Sequence, residues 1–132
     1  MKHLHLGLTL VALSFYSNMA AAYEAHHVYH IRKNTTFLLG SAYSLHPDCT
    51  LRGKSITTIT SAPKHGVAYV AYGKDYPAFK SGPYVSCNKR RISATLLWYR
   101  PRKDYVGDDT FSVHNWYPSG DVEDKTLYVT VE

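Results

Sequence analysis

Between residues 35 and 131, short runs rich in Val, Ile, Thr, Tyr and Trp are cut apart by Pro, Gly, Asn and Asp, and none of them carries helical periodicity. Such a pattern fits strands and turns and leaves no place for a long amphipathic helix. The runs are 35–39, continued or paired by 41–45, then 55–60, 67–72, 84–87, 93–99, 110–117 and 126–131. The last two alternate cleanly. Phe111 and Val113 face one way against Thr110, Ser112 and His114, and Leu127, Val129 and Val131 face inward against Thr126, Tyr128 and Thr130. Period-two patterning of this kind means one face on a core and one in water. Residues 73–83, with two glycines and two prolines, read as a polar loop, and 102–108 as a turn-rich corner. About seven short strands with no helix between them predict an all-β sandwich rather than an α/β fold.

The first 22 residues read as a secretory signal peptide. A weakly positive start precedes a mostly apolar stretch, and Ala20 and Ala22 stand in the A-x-A relation that precedes cleavage. The apolar run is too short and broken to span a bilayer, and nothing later in the chain is apolar enough to do so. The expected mature chain starts at Tyr23, with residues 23–32 as a flexible tail and 33–132 as one domain. A sandwich needs about 100 residues, so the length suits one such domain. Export puts Cys49 and Cys87 in an oxidising compartment, where the only two cysteines of the chain most simply pair. No C-x-x-C or second pair supports a zinc site.

One set of residues is more specific than composition. Pro63-Lys64-His65-Gly66-Val67 is followed by Cys87, by Trp98-Tyr99-Arg100-Pro101, and by Tyr105, Gly107, Asp109, Phe111 and Val113 at every second position. Leu127, Val129 and Val131 close the series. This order resembles the bacterial immunoglobulin-like and cadherin-like domains, which occur as repeats in surface proteins and as small exported proteins with two cysteines. The resemblance covers residues 49–131 and implies an immunoglobulin-like β-sandwich. The acidic motifs by which cadherin repeats hold calcium are not visible, so calcium is not implied. Physical roles suit each residue. Gly66 and Gly107 suit turns with positive φ, Pro63 and Pro101 stop strands, Asp109 is placed to accept turn amides, and Tyr99 and Phe111 are sized to fill the space between sheets. Tyr105, Gly107, Asp109 and Phe111 thus form a structural corner.

Function has to be argued from sites, because a fold of this type hosts many. His26, His27 and His30 form a histidine cluster suited to copper or zinc, although His26 falls fourth in the expected mature chain rather than third, as amino-terminal copper sites have it. Lys89, Arg90 and Arg91 form a basic turn, with Lys64, Lys74, Lys80, Arg100, Arg102 and Lys103 elsewhere in a chain of net charge +5. Basic groups interleaved with Tyr and Trp suit anionic partners. Alternation sets Trp98 against Tyr99 and Trp116 against Tyr117, so one of each pair is a candidate surface aromatic. Catalysis is not expected: there is no G-x-S-x-G elbow, and Asp108 and Asp109 are neighbours that point apart in an extended chain. The expectation is a non-enzymatic binding or structural module, periplasmic or secreted at the cell envelope. Its partner would be an envelope protein or glycan rather than nucleic acid, and no cofactor is called for. The alternative is metal binding by the histidines.

Overall fold

The structure, a computed structural model, describes residues 25–132; the proposed signal peptide and Tyr23 lie outside the described residues. Alternation builds the centre of the larger sheet. In β6 (Gly107–Trp116) and β7 (Val122–Val131), the antiparallel register sets Phe111 opposite Leu127 and Asp109 opposite Val129. Residues directly opposite share a face, and Phe111, Val113, Leu127, Val129 and Val131 are all buried. β3 (Ile56–Ser61) pairs with the far side of β6, and β1 (Ala25–Ile31) runs parallel to β7, giving a four-stranded sheet of order β1-β7-β6-β3. The second sheet has three strands in the order β2-β5-β4, namely β2 (Phe37–Ala42), β5 (Ile92–Pro101) and β4 (Gly66–Asp75). Leu39, Leu97 and Tyr99 from this sheet meet Ile31, Phe111, Val113, Leu127, Val129 and Val131 from the other in one core. Burying each such side chain contributes about 1.5–3 kcal/mol. Among the described residues the fold is therefore an all-β sandwich of seven strands in two sheets. None of the helices among the described residues is long and apolar enough to cross a membrane.

The pairing expected of Cys49 and Cys87 is present. It ties the β2–β3 connection to the β4–β5 connection beside a second apolar cluster of Leu45, Cys87 and Ile92, against which Tyr43, Phe79 and Tyr84 pack. Phe79 stacks on Tyr84 with ring centroids 5.2 Å apart and meets Tyr43 edge-on at 5.6 Å. The bridge therefore closes one end of the sandwich rather than crossing its main core.

Three expectations are corrected. Residues 25–31 are not a flexible tail but strand β1, so the domain includes them. Ile31 is buried opposite Val131, and Tyr29 packs on the core and donates from its hydroxyl to the Leu39 carbonyl at 2.8 Å. Residues 84–87 are not a strand: Val85–Lys89 is a short 3-10 helix, with Cys87 N–H bonded to Tyr84 O at 2.9 Å. Local i to i+3 bonds, Cys87 N–H to Tyr84 O and Arg90 N–H to Cys87 O, satisfy the backbone around the bridge. Residues 73–75, expected in a loop, extend β4, where Gly73 faces Ala94.

Loss of the bridge has a predictable size. Closing a loop of 38 residues contributes about 3–4 kcal/mol in the chain-entropy account. The Cys49→Ser/Cys87→Ser variant is expected to lose about that much in urea unfolding, with the core strands unchanged by circular dichroism. A loss below about 1 kcal/mol would show that the end cluster holds without the bridge.

Candidate functional site: a cationic cleft at one end of the sandwich

The turn joining β3 to β4 is held by one carboxylate. Asp109, 6 % exposed on the inner face of β6, accepts the Lys64 and His65 N–H groups at 3.0 Å each, the Tyr99 hydroxyl at 2.7 Å and the Thr110 N–H at 3.0 Å. Three of these donors lie outside β6, on the turn and on β5, so the carboxylate fastens the turn to both sheets. Gly66 does not have the positive φ expected for it. A Cβ there would stand 2.5 Å from Arg100 O and 2.8 Å from the Tyr99 hydroxyl, so glycine is required by close approach. Gly107, with φ +138°, does take the special conformation.

The β5–β6 corner locks onto the same turn. Arg102 N–H donates to His65 O at 2.8 Å and Tyr105 N–H to Arg102 O at 3.0 Å. The His65 ring stacks on Tyr105 with centroids 4.4 Å apart and planes 5° from parallel, and the Arg102 guanidinium lies 5.7 Å from the Tyr105 centroid. Asn34 and Asp104, both at positive φ, exchange hydrogen bonds of 3.0 and 2.8 Å and bring the β1–β2 turn alongside.

A cleft of about 520 Å³ results, lined by Lys64, His65, Val67, Arg100, Arg102 and Lys103 with Asn34 and Thr36. All four cations are exposed, and none enters the three ion pairs found among the described residues. The nearby carboxylates are engaged elsewhere: Asp104 with Asn34, Asp108 with the Thr130 hydroxyl at 2.9 Å, and Asp109 with its four donors beneath the turn. His65 Nδ1 is buried and has no hydrogen-bond partner. Register continues the cleft onto the outer face of the three-stranded sheet. Arg100 sits opposite Val67, and half-buried Trp98 sits opposite Tyr69 on one side and Leu38 on the other. A cationic cleft thus opens onto an aromatic and aliphatic strip.

The residues singled out by sequence divide between places. Lys89, Arg90 and Arg91 are exposed just before β5, whereas Arg100, Arg102 and Lys103 lie at or just after its end. β5 has 10 residues, or about 30 Å at a strand's rise, so the two basic groups occupy opposite ends of the molecule. Trp98 belongs to the cleft side. Trp116 lies on the outer face of the other sheet, in an exposed apolar row with Ile56 and Val122. Tyr99 is fully buried and Tyr117 half-buried. Three positions apart on a strand, His27 and His30 face opposite ways. His27 stacks loosely on Tyr29 at 6.4 Å, and its pKa is lowered by burial and by the Lys125 charge; His30 Nδ1 lies 3.1 Å from a Glu132 carboxylate oxygen. The side chain of His26 lies outside the described part, and no group of three metal-ligating side chains occurs among the described residues. The convergence of Lys64 with Arg100, Arg102 and Lys103 went unread. Its signal was present in the two motif segments that carry them, but only the pairing of Gly66 with Pro101 shows that they meet.

No protein-family model matches the chain, and no curated protein matches it. Among solved structures the chain is similar to a 2,6-sialyltransferase of Vibrionaceae Photobacterium sp. JT-ISH-224, crystallised with CMP and lactose, at 12% identity and a TM-score of 0.33. The similarity covers 85% of this chain and 18% of that one.

Two outcomes follow from the Asp109 network. Asp109→Ala strands amide and phenol donors, and bonds to a charged acceptor contribute roughly 1.5–3 kcal/mol each before coupling; a loss of about 3 kcal/mol or more is expected in urea unfolding. A loss below about 1 kcal/mol would mean that the turn holds by packing alone. Burial first, then the hydrogen bond to Asp109 and its charge, push the Tyr99 phenol well up. Burial and the Glu123 charge do the same for Tyr117. Both phenols are held neutral, so their stabilising effect is complete below the ordinary tyrosine pKa of about 10 and is lost as pH rises beyond it. In an absorbance titration these two should ionise last, and Tyr99→Phe should remove one late-titrating group.

Proposed function

We propose that this chain is an exported immunoglobulin-like module that binds an anionic partner at the cell envelope, an acidic glycan above all, through the cleft around Lys64, Arg100, Arg102 and Lys103. One observation carries the reading: four exposed cations are gathered on a rigid turn and corner with no ion-pair partner among the described residues. Grouping like charges costs free energy that an anion would return. The adjoining strip of Trp98, Tyr69 and Val67 supplies flat apolar surface of the sort on which sugar rings stack. The disulfide supports export to an oxidising compartment.

The fold type is supported by strand order. Lettered A to G along the chain, the sheets are A-G-F-C and B-E-D. Immunoglobulin-type sandwiches place B, E and D in one sheet and C, F and G in the other. Here strand A lies along G instead of B. Binding rather than catalysis fits the same cleft, because Asp109, the carboxylate under it, already has four donors and is closed off from solvent.

The reading is tested with a uronic-acid polysaccharide against neutral dextran, by surface plasmon resonance at two salt concentrations. Binding to the acidic polymer alone is expected, falling steeply as salt shortens the screening length from about 10 Å at 0.1 M. Replacing Lys64, Arg100, Arg102 and Lys103 with Gln should abolish it, while replacing Lys89, Arg90 and Arg91 with Gln should leave most of it. Equal loss from the two sets, or no binding by the folded protein, would remove the cleft as the site.

A further inference from the structure

β4 begins at the cationic cleft with Gly66 and ends with Asp75 at the far end of the same sheet. Residues 51–55 lie there, on their way into β3. With the ends of β4 and β5 they line a second, half-open cavity of about 540 Å³. Leu51, Ala42 and Ala94 make its walls apolar. At its base Thr95, 2 % exposed, donates from Oγ1 to the Ser55 carbonyl at 2.5 Å. Ser55 is also 2 % exposed, and its own Oγ has no hydrogen-bond partner. At the rim the Lys54 ammonium lies 3.2 Å from the centroid of the Tyr72 ring, and Lys74 lines the same opening. Neither lysine takes part in an ion pair among the described residues.

We propose that this cavity is a second binding site, separate from the cleft, for a small and mainly apolar anion such as an aryl or acyl carboxylate or sulfonate. Its volume lies within the roughly 300–1,000 Å³ of small-molecule sites. Apolar walls supply affinity through burial. The ammonium over Tyr72 is held at the mouth by the ring's negative face. It meets a ligand's charged end there without that charge having to leave water entirely, so the sign of the charge is set by the rim and the apolar body by the walls.

The probe is 1-anilinonaphthalene-8-sulfonate, an aryl sulfonate whose fluorescence rises when its rings leave water. The oxidised, folded protein is expected to bind it saturably and one to one. Lys54→Gln with Lys74→Gln should weaken binding about tenfold, the equivalent of about 1.4 kcal/mol. Ser93→Trp, at an exposed position on the rim, should block it while leaving the melting temperature unchanged. Lys64→Gln with Arg102→Gln should leave it as it was, which separates this site from the cleft. No saturable binding, or loss following the cleft variant instead of the rim variants, would overturn the proposal. So would the uncharged N-phenyl-1-naphthylamine binding as tightly and ignoring the lysine variants, since the site would then select apolar bodies without regard to charge.

Discussion

A carboxylate buried between two sheets with no cation beside it is costly unless every lone pair is used. Asp109 meets that condition with three N–H donors and one phenol. Removing such a charge from water costs several kcal/mol, and bonds to a charged acceptor contribute roughly 1.5–3 kcal/mol each, so the net gain in stability is much smaller than either sum. The larger effect is on specificity. Only one placement of the 63–66 turn, of Tyr99 and of β6 satisfies all four donors together. Any slip of β6 by one residue would turn the carboxylate outward and leave the donors stranded. The position of Lys64 and His65, and through the His65 carbonyl that of Arg102, follows from that one group.

The two ends of the sandwich are closed by different physics. The cleft end relies on hydrogen bonds and ring stacking, with its cations left in water. The other end relies on an apolar cluster and a covalent bridge between two long connections. This division suits the lengths involved. The connections from β2 to β3 and from β4 to β5 are too long to fix themselves by turn chemistry, whereas the turns at the cleft end are short and carry Pro, Gly, Asn and Asp at the positions that need them. The last piece, β1, pairs with β7 across almost the whole chain, with Ala25 beside Lys125. A contact of such separation carries a larger loop-closure cost than the hairpin pairing of β6 with β7.

The parts of this fold that alternate strictly could be read from the chain. β6 and β7 show their inward faces residue by residue, and the role of Asp109 follows from a polar residue on an apolar face beside a turn. What could not be read depends on partners far away in sequence. Residues 25–31 look like a polar tail because His26, His27 and His30 dilute the pattern. Only Tyr29 and Ile31 mark an inward face, and their environment is the C-terminal strand. The segment 84–87 looks like a strand by composition, yet Val85–Lys89 closes into a 3-10 turn around the disulfide-bonded Cys87. The same logic hid the cleft. Adjacent basic residues such as Lys89, Arg90 and Arg91 attract notice in a linear chain, but a surface is assembled by register, and the register joined residues from 64–67 with residues from 100–103.

The manner in which these cations are held also bears on what sort of binding the proposed site would perform. Ordering a long side chain at an interface costs about 0.5–1.5 kcal/mol. Arg102 is partly spared that cost, because the Tyr105 ring under it is already fixed by His65 and by the Tyr105 hydroxyl bond to Asp108 O at 2.6 Å. Among the described residues no ring lies under Lys64, Arg100 or Lys103 in this way, and all three are exposed. A floor with one ring-supported guanidinium beside three exposed cations without such support would favour fast, salt-sensitive capture of extended anions over tight gripping of a single small one. Repeating partners make up for weak single contacts, since each bound unit raises the local concentration of the next. On this argument an acidic polymer would suit the proposed cleft better than an isolated anion.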